Sequence, residues 1–309
     1  MDRRFRVLRR ELSERGVSEE LRGWSFEGFP VQPPGGLFLF GVSELAGRYC
    51  RTMRDLYLRK ILRVPTPPSV KVIRGIVFHD ICHRVILDVK RVLFEEGSKV
   101  SGFRVLEGLL PQAMGVVEYS LGEAERRVGE VDREERGEIL EEAVSLYRFL
   151  IIQAAAKVDW ALSKYPHATA DSIASVAIPP VVERKVDGSL VGLGRELSVD
   201  LYTPYNAVAD LKTGEVRSFH PYAVTGYALA LEAEENIPID YGFIVYVKVK
   251  QGTPRFKLKC FVIGDEIRRE FLELRDEAYE VLTLGKDPGK PPRCPKFCPY
   301  YEVCSGGES

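Results

Sequence analysis

The sequence lacks any apolar run long enough to span a bilayer, so neither a membrane location nor a membrane partner is expected. Its amino terminus, MDRRFRVLRRELSERG, is basic, but the apolar stretch that a secretory signal needs does not follow. A cytoplasmic location is the expectation. Charge of one sign is not in excess: 44 Lys and Arg stand against 45 Asp and Glu, a net −1, which excludes a uniformly basic coat for an anionic polymer. Internal repeats are absent, and so is the Gly-x-x-x-x-Gly-Lys-Ser/Thr loop of nucleotide-driven motors. Cysteine is sparse, six residues in 309, and without an export signal these read as ligands or buried hydrophobes rather than disulfides.

What is present is ordinary in bulk and uneven in detail. At 309 residues, 45% hydrophobic and 29% charged, the chain can bury a sizeable core and carry an insertion. Residues 1–74 hold 15 Lys and Arg against 8 Asp and Glu, a local excess of +7 that suits either a solvated surface or a groove for a phosphate backbone.

Helical signals dominate the first part. After the Pro/Gly-rich FEGFPVQPPGG, Ser43 as N-cap and Glu44 in the first turn predict a helix to about Arg63, ended by Pro65–Ser69. A second helix is expected over Ile73–Glu96, with Ile76, Val77, Ile81, Val85, Leu87 and Val89 as its stripe and Gly97 as its stop. Residues 98–175 read as helical throughout, with GEAERRVGEVDREERGEILEEA as an exposed, charge-alternating surface. After Ile178 short alternating runs take over. Strands are predicted at Pro179–Lys185, Glu196–Tyr202 and Ala207–Thr213, with turns at Asp187-Gly188 and Pro204-Tyr205-Asn206. A helix over Pro221–Glu235 follows, then strands Tyr241–Val249 and Phe256–Ile263 joined through Gln251-Gly252-Thr253-Pro254, then a helix to Leu284. The implied class is α/β (α+β), a mixed sheet flanked by helices. The expected regions are 1–97, with one helix of the site; 98–177, a helical insertion; 178–284, the sheet-bearing core; and 285–309, a cysteine-rich end.

Two acids carry the chemistry. Asp210 and Lys212 in AVADLKTG share one strand face, and a hairpin around residues 204–206 brings Asp200 of ELSVDLY beside Asp210. Paired carboxylates on adjacent strands suit Mg²⁺ or Mn²⁺, and a nearby ammonium suits the charge that develops when a phosphodiester is hydrolysed. Asp-x-Lys on a strand is also a common solvated ion pair. Here Val199, Leu201, Val208, Ala209 and Leu211 make both strands apolar, so the acids are expected to be partly buried, where charge is costly without a task.

The order Gly75-x-x-x-His79 on a helix, an acid on one strand, Asp-x-Lys on the next and a helix bearing a tyrosine resembles the RecB-like nucleases of the restriction-endonuclease-like superfamily. The resemblance implies a restriction-endonuclease-like sheet. It implies His79, Asp200 and Asp210 as metal ligands, the Leu211 carbonyl completing the shell, and Lys212 as the catalytic lysine. Glu183 resembles a further catalytic acid of that family. Where the family has Gln-x-x-x-Tyr, this chain has Ala223-x-x-x-Tyr227, which keeps Tyr227 for contact with DNA or Lys212. His83, one turn beyond His79, reads as a packing or supporting residue. No glutamate follows His79, so the pair lacks the zinc-protease pattern.

The end of the chain holds Cys294-x-x-x-Cys298-x-x-x-x-x-Cys304 among prolines and aromatics, and Cys50 offers a fourth thiol. Zinc and simple burial are the rival readings, although one plus three cysteines is unlike a zinc ribbon. Cys82 and Cys260, alone in apolar segments, read as core residues. One early cysteine with a late triplet resembles nucleases clasped by an iron–sulfur cluster, 4Fe–4S being the first expectation, and such a clasp ties distant chain regions together. With the acids, it makes the chain similar to the CRISPR-associated iron–sulfur exonucleases, in particular the archaeal subtype I-A branch with its long helical insertion. That resemblance implies 5′→3′ cleavage of single-stranded or tailed duplex DNA ends during CRISPR spacer acquisition, with CRISPR integrase subunits as partners. Arg48, Arg51, Arg54 and Arg59 are the candidate phosphate contacts. The alternatives are a catalytically weak iron–sulfur DNA-binding adaptor of the integration complex and a RecB-like repair nuclease outside CRISPR.

Overall fold

The computed structural model describes residues 2–35, 38–47, 49–66, 69–178, 181–203 and 206–306. Helices α1 (Asp2–Arg15), α2 (Val42–Ala46), α3 (Arg54–Lys60), α4 (Val70–Glu96), α5 (Gly102–Leu109), α6 (Ala113–Val128), α7 (Arg133–Lys164) and α8 (Ala170–Ala177) precede the sheet. Strands β1 (Val181–Val186), β2 (Leu197–Thr203) and β3 (Ala207–Lys212) form the antiparallel meander. Helix α9 (His220–Glu235) crosses over, so β4 (Tyr241–Lys250) runs parallel to β3, and β5 (Thr253–Val262) returns antiparallel at the edge. Helix α10 (Asp265–Thr283) and the short α11 (Tyr301–Ser305) complete the order. This is the mixed sheet flanked by helices that the patterning implies, with strand order β1-β2-β3-β4-β5. No helix among the described residues is long and apolar enough to cross a membrane.

Two faces of the sheet bury different partners. On one face, α9 and α10 cover Val208, Ile244 and Tyr246. On the other, α1 covers Ala207, Ala209, Tyr241 and Phe243 with Leu8, while the long helices cover Leu211, Val245, Val247 and Val249. Helix α4 shares that last core with α5 to α8 through Ile73, Val77, Ile81, Val85, Val89 and Leu93, each four residues from the next. Phe78 joins this core and Ile76 packs against it, whereas Leu87, which the sequence reading included in the stripe, is exposed.

Several elements depart from expectation. The single helix over 43–63 is two: α2 ends at Ala46, and α3 begins only after Met53 adopts a left-handed backbone at φ 56°. Gly41, not Ser43, is the N-cap of α2, and its amide donates to Glu44 at 2.8 Å. The break falls where the chain docks on residues 287–304, and those contacts override local helix preference. The charged stretch 122–143 is also interrupted. Gly129 adopts φ 126° and Asp132 caps α7 by accepting from the Glu135 amide at 2.8 Å. The β4–β5 turn needs only Gln251 and Gly252, both with positive φ, as a two-residue hairpin of primed type requires. Thr253 and Pro254 lie inside β5, where proline is tolerated because the strand is at the edge. The predicted Pro179 start of β1, and Pro204 and Tyr205 of the predicted turn, lie outside the described residues.

A buried ionic knot fixes α9. Glu232, fully buried, accepts from Arg268 at 2.7 and 2.9 Å, from Arg22 at 2.9 Å, and from the Gly23 and Ile239 amides at 2.8 and 2.9 Å. Arg275, also buried, donates to the carbonyls of Pro30, Val31, Gln32 and Val191 and so anchors the described part of the Pro/Gly-rich loop.

Candidate active site

The acids meet as the hairpin predicts. Leu201 pairs with Ala209, so the next positions inward, Asp200 and Asp210, stand across from each other. The side-chain alternation of β2 breaks at Asp200: Leu197 and Val199 join the core under α9, whereas Leu201 joins the one under α1. Directly across on β1, Glu183 has φ 48°. Such an irregularity frees the Asp200 carboxylate from the ladder and re-aims it. The Asp200 side chain then accepts the Leu211 amide through Oδ2 at 2.6 Å and faces His79 Nδ1 through Oδ1 at 3.4 Å.

Helix α4 supplies His79, and Gly75 permits its approach. A Cβ at Gly75 would lie 3.4 Å from Thr213 Oγ1, just beyond β3, so α4 packs at contact distance from the end of that strand here. One turn on, His83 Nδ1 faces Glu183 at 3.5 Å. Two histidines on one helix face thus meet two acids on neighbouring strands.

Asp210 is only 3% exposed, with Lys212 Nζ at 3.1 Å from Oδ1 in a hydrogen bond and at 2.8 Å from Oδ2 in an ion pair. Its Oδ2 has no hydrogen bond. Burial pushes the Asp210 carboxyl up to about 6; Lys212 opposes this and the Asp200 charge adds to it. Burial also works against Asp200, but the His79 bond, the Leu211 amide and Lys212 hold it below the usual carboxylate range. His79 is pulled down by burial and lifted more by Asp200 and Asp210, ending above its ordinary value. Lys212 is raised in the same way, Asp210 outweighing burial. Burial, then the charges of Asp210 and Asp200, raises Tyr227 strongly, so its phenol stays protonated and acts as a hydrogen-bond donor.

The structure therefore brings His79, Asp200, Asp210, Lys212 and Tyr227 into one electrostatic neighbourhood, with Leu211 between the two acids and Glu183 beside it. As the side chains stand, no three His, Cys, Asp or Glu among the described residues form a closed set of ion ligands. Ala223, in the position of the missing glutamine, is a buried residue of α9 itself. The sequence reading passed over His220, whose Nδ1 lies 3.0 Å from the Tyr246 hydroxyl in the row beside Lys212. Its only sequence signal is its place at the start of a proline-bearing helix.

The second constellation joins the segment around Cys50 to the C-terminal end. Thr52 Oγ1 lies 3.3 Å from Cys50 Sγ and donates to the Gly289 carbonyl at 2.7 Å. Arg54 grips both Asp287 oxygens at 2.8 to 3.0 Å and reaches Cys304 Sγ at 3.3 Å. Tyr300 donates to the Val64 carbonyl at 3.1 Å. A cavity of about 380 Å³ is lined by Cys50, Arg51 and Asp55 and by Arg293 and Pro295, the residues flanking Cys294. Burial, then the charges of Asp55, Cys50 and Cys304, pushes the Cys298 thiol up to about 11. All six cysteines are free thiols. Cys82 and Cys260 are half-buried and pack against the apolar cores. Of the candidate phosphate contacts, Arg54 is held by Asp287, and Arg59 by Glu44 at 3.3 Å and over the Tyr300 ring. Arg51 lines the cavity, and Arg48 lies outside the described residues.

Comparison with known proteins gives the family. Residues 1–307 match the family model described as CRISPR-associated exonuclease Csa1. A protein of that name from Thermoproteus tenax is 32% identical over 302 residues, covering 97% of this chain and 96% of its own. Another from Saccharolobus solfataricus is 34% identical over 291 residues, covering 94% and 93%. No solved structure matches. A match that runs through both the acid cluster and the cysteine end, over nearly the whole of each chain, places this protein in the Csa1 family of CRISPR-associated exonucleases.

Proposed function

We propose that the chain is a divalent-metal-dependent deoxyribonuclease that degrades single-stranded DNA ends, 5′→3′, in preparing fragments for a CRISPR array. The observation that carries this reading is the buried Asp210 carboxylate, with Lys212 Nζ 2.8 Å from its Oδ2, beside a second acid and an imidazole. Two acids buried together carry more negative charge than one ammonium offsets, a charge that a divalent cation would relieve. Asp210, Asp200 and His79, with the Leu211 carbonyl, would hold Mg²⁺ or Mn²⁺; a donor set of carboxylate oxygens and one imidazole suits either ion. When bound, the ion supplies a Lewis acid for the phosphoryl oxygen and a more acidic water.

The chain's own residues do the rest. Water adds to phosphorus, the bond to the leaving sugar oxygen breaks, and that oxygen takes a proton. Lys212 stays charged, braced on Asp210, and offers its ammonium to the growing negative charge on the phosphoryl oxygens. Tyr227 keeps its proton and can donate to the same oxygens or steady Lys212. His79 is oriented by Asp200, and Asp200 by the Leu211 amide, contacts that would support the two as proposed ligands. Glu183, against His83, is the supporting acid.

Cys50, Cys294, Cys298 and Cys304 would hold an iron–sulfur cluster, 4Fe–4S by resemblance. Of the four free thiols Cys50 lines the cavity and Cys304 meets Arg54, and thiols are the donor type such a group takes. Its role there would be a brace between two segments already tied by Arg54–Asp287 and Thr52–Gly289. CRISPR integrase subunits are the proposed partners, in the cytoplasm.

The test is hydrolysis of single-stranded DNA labelled at either end, with Mn²⁺, Mg²⁺ or chelator. The parent is expected to cut from the 5′ end only with metal, and Lys212→Met to lose roughly 10²–10³-fold in rate, the size of one removed transition-state donor. A metal-loaded parent that binds DNA and never cuts it would leave the adaptor reading in its place.

A further inference from the structure

The sheet register carries a second feature onto the face that holds the acids. Lys212 on β3, Tyr246 on β4 and Lys257 on β5 occupy one cross-strand row, and Asp210, Ile244 and Lys259 occupy the next row of the same face. Arg255 stands across from Lys248 one row further out. At about 4.8 Å between strands, the β5 backbone lies about 10 Å from that of Asp210 and Lys212. Arg255, Lys257 and Lys259 are exposed, two residues apart, and so follow one another along the edge at steps of about 7 Å. Among the described residues none of the three meets a carboxylate; Lys259 lies 6.0 Å over the Phe261 ring.

We propose that Arg255, Lys257 and Lys259 form a rail that holds the phosphate backbone of single-stranded DNA and leads it along the sheet edge toward Asp210 and Lys212. The proposal rests on the nuclease reading of those two residues and names the path by which their substrate reaches them. An unpaired row of cations beside a phosphodiester site is complementary to an anionic polymer. Of the three, Lys259 also acts on His220, which burial first, then Lys212 and Arg217, and least Lys259 push down to about 4. Edge-strand lysines also discourage pairing with another sheet, a role that needs no affinity for DNA. Salt-dependent binding separates the two roles.

The experiment measures binding of a labelled single-stranded oligonucleotide by fluorescence anisotropy, in chelator, from 50 to 200 mM salt. The full-length parent is compared with Arg255→Gln/Lys257→Gln/Lys259→Gln and with the charge-keeping Lys257→Arg/Lys259→Arg. A control variant, Lys157→Gln/Lys164→Gln, changes charges on α7. Three lost phosphate contacts should lower the slope of log K against log salt by about 2, so that the parent loses roughly 20-fold more affinity than the triple variant across that range. The arginine variant and the α7 control should behave as the parent does, and all four should melt alike. A triple variant with the parent's slope, or one weakened only on duplex DNA, overturns the rail. Because binding is read without metal, loss of binding in the triple variant upholds the rail even if Lys212→Met proves as active as the parent, which would overturn the hydrolytic site alone.

Discussion

Replacing Asp210 by asparagine separates what this site contributes to chemistry from what it costs the fold. The side chain is 3% exposed, and burial raises its carboxyl from 3.8 to about 6 even with Lys212 at hydrogen-bonding distance. The attraction of Lys212 is therefore already counted, and burial still wins. At about 1.4 kcal/mol for each tenfold change in proton affinity, holding Asp210 ionised at pH 7 costs the metal-free fold about 3 kcal/mol. Asparagine keeps the shape and removes the charge, and relief of Asp200 acts in the same direction. The expected result in chelator at pH 7 is a variant that melts several degrees above the parent, at about 2–4 °C per kcal/mol in domains of 150–250 residues. A carboxyl raised in the folded state costs nothing below its unfolded value, so the parent should lose stability as pH rises from about 4 to about 6. The gap between the two proteins should accordingly close below about pH 4. Mn²⁺ should stabilise the parent, by about 2.7 kcal/mol at a hundredfold excess over Kd, and should do little for the variant. Thermal melts at several pH values, with metal or chelator, beside a DNA hydrolysis assay, read all of this. A variant that melts below the parent in chelator refutes the electrostatic argument; one that hydrolyses DNA at the parent's rate refutes the catalytic one.

The buried knot gives the opposite sign. Glu232 is pushed up by burial but lowered more by Arg268 and the Gly23 and Ile239 amides, so its stability is fully present above about 4.5 and is lost as pH falls through the lowered folded value. Glu232→Gln should cost about 3–5 kcal/mol at pH 7, because it leaves Arg268 buried without its charge partner, and should flatten the acid limb of a denaturation profile. At the cysteine site, Cys298→Ser should abolish iron in anaerobically purified protein and expose residues 285–306 to protease while leaving His79 and the acids in place; full iron content in that variant would refute the clasp.

The sequence by itself determined the elements whose signals are local. Gly97 stops α4, Asn206 and the apolar alternation around it set the β2–β3 hairpin, and Pro221 marks the first turn of α9. The Asp210-x-Lys212 spacing was legible because a strand repeats every two residues, and one hairpin suffices to place Asp200 across from it. Only the tertiary structure decided what depends on partners distant in the chain. The break between α2 and α3 exists because Thr52 and Arg54 dock on Gly289 and Asp287, contacts that no local propensity reports. The same docking occupies Arg54 with Asp287 and Cys304, although by composition it was as good a phosphate contact as any arginine. The parallel pairing of β3 with β4 sets Lys257 and Lys259 beside the acids, and register across a crossover is fixed by packing of the helix rather than by any short spacing.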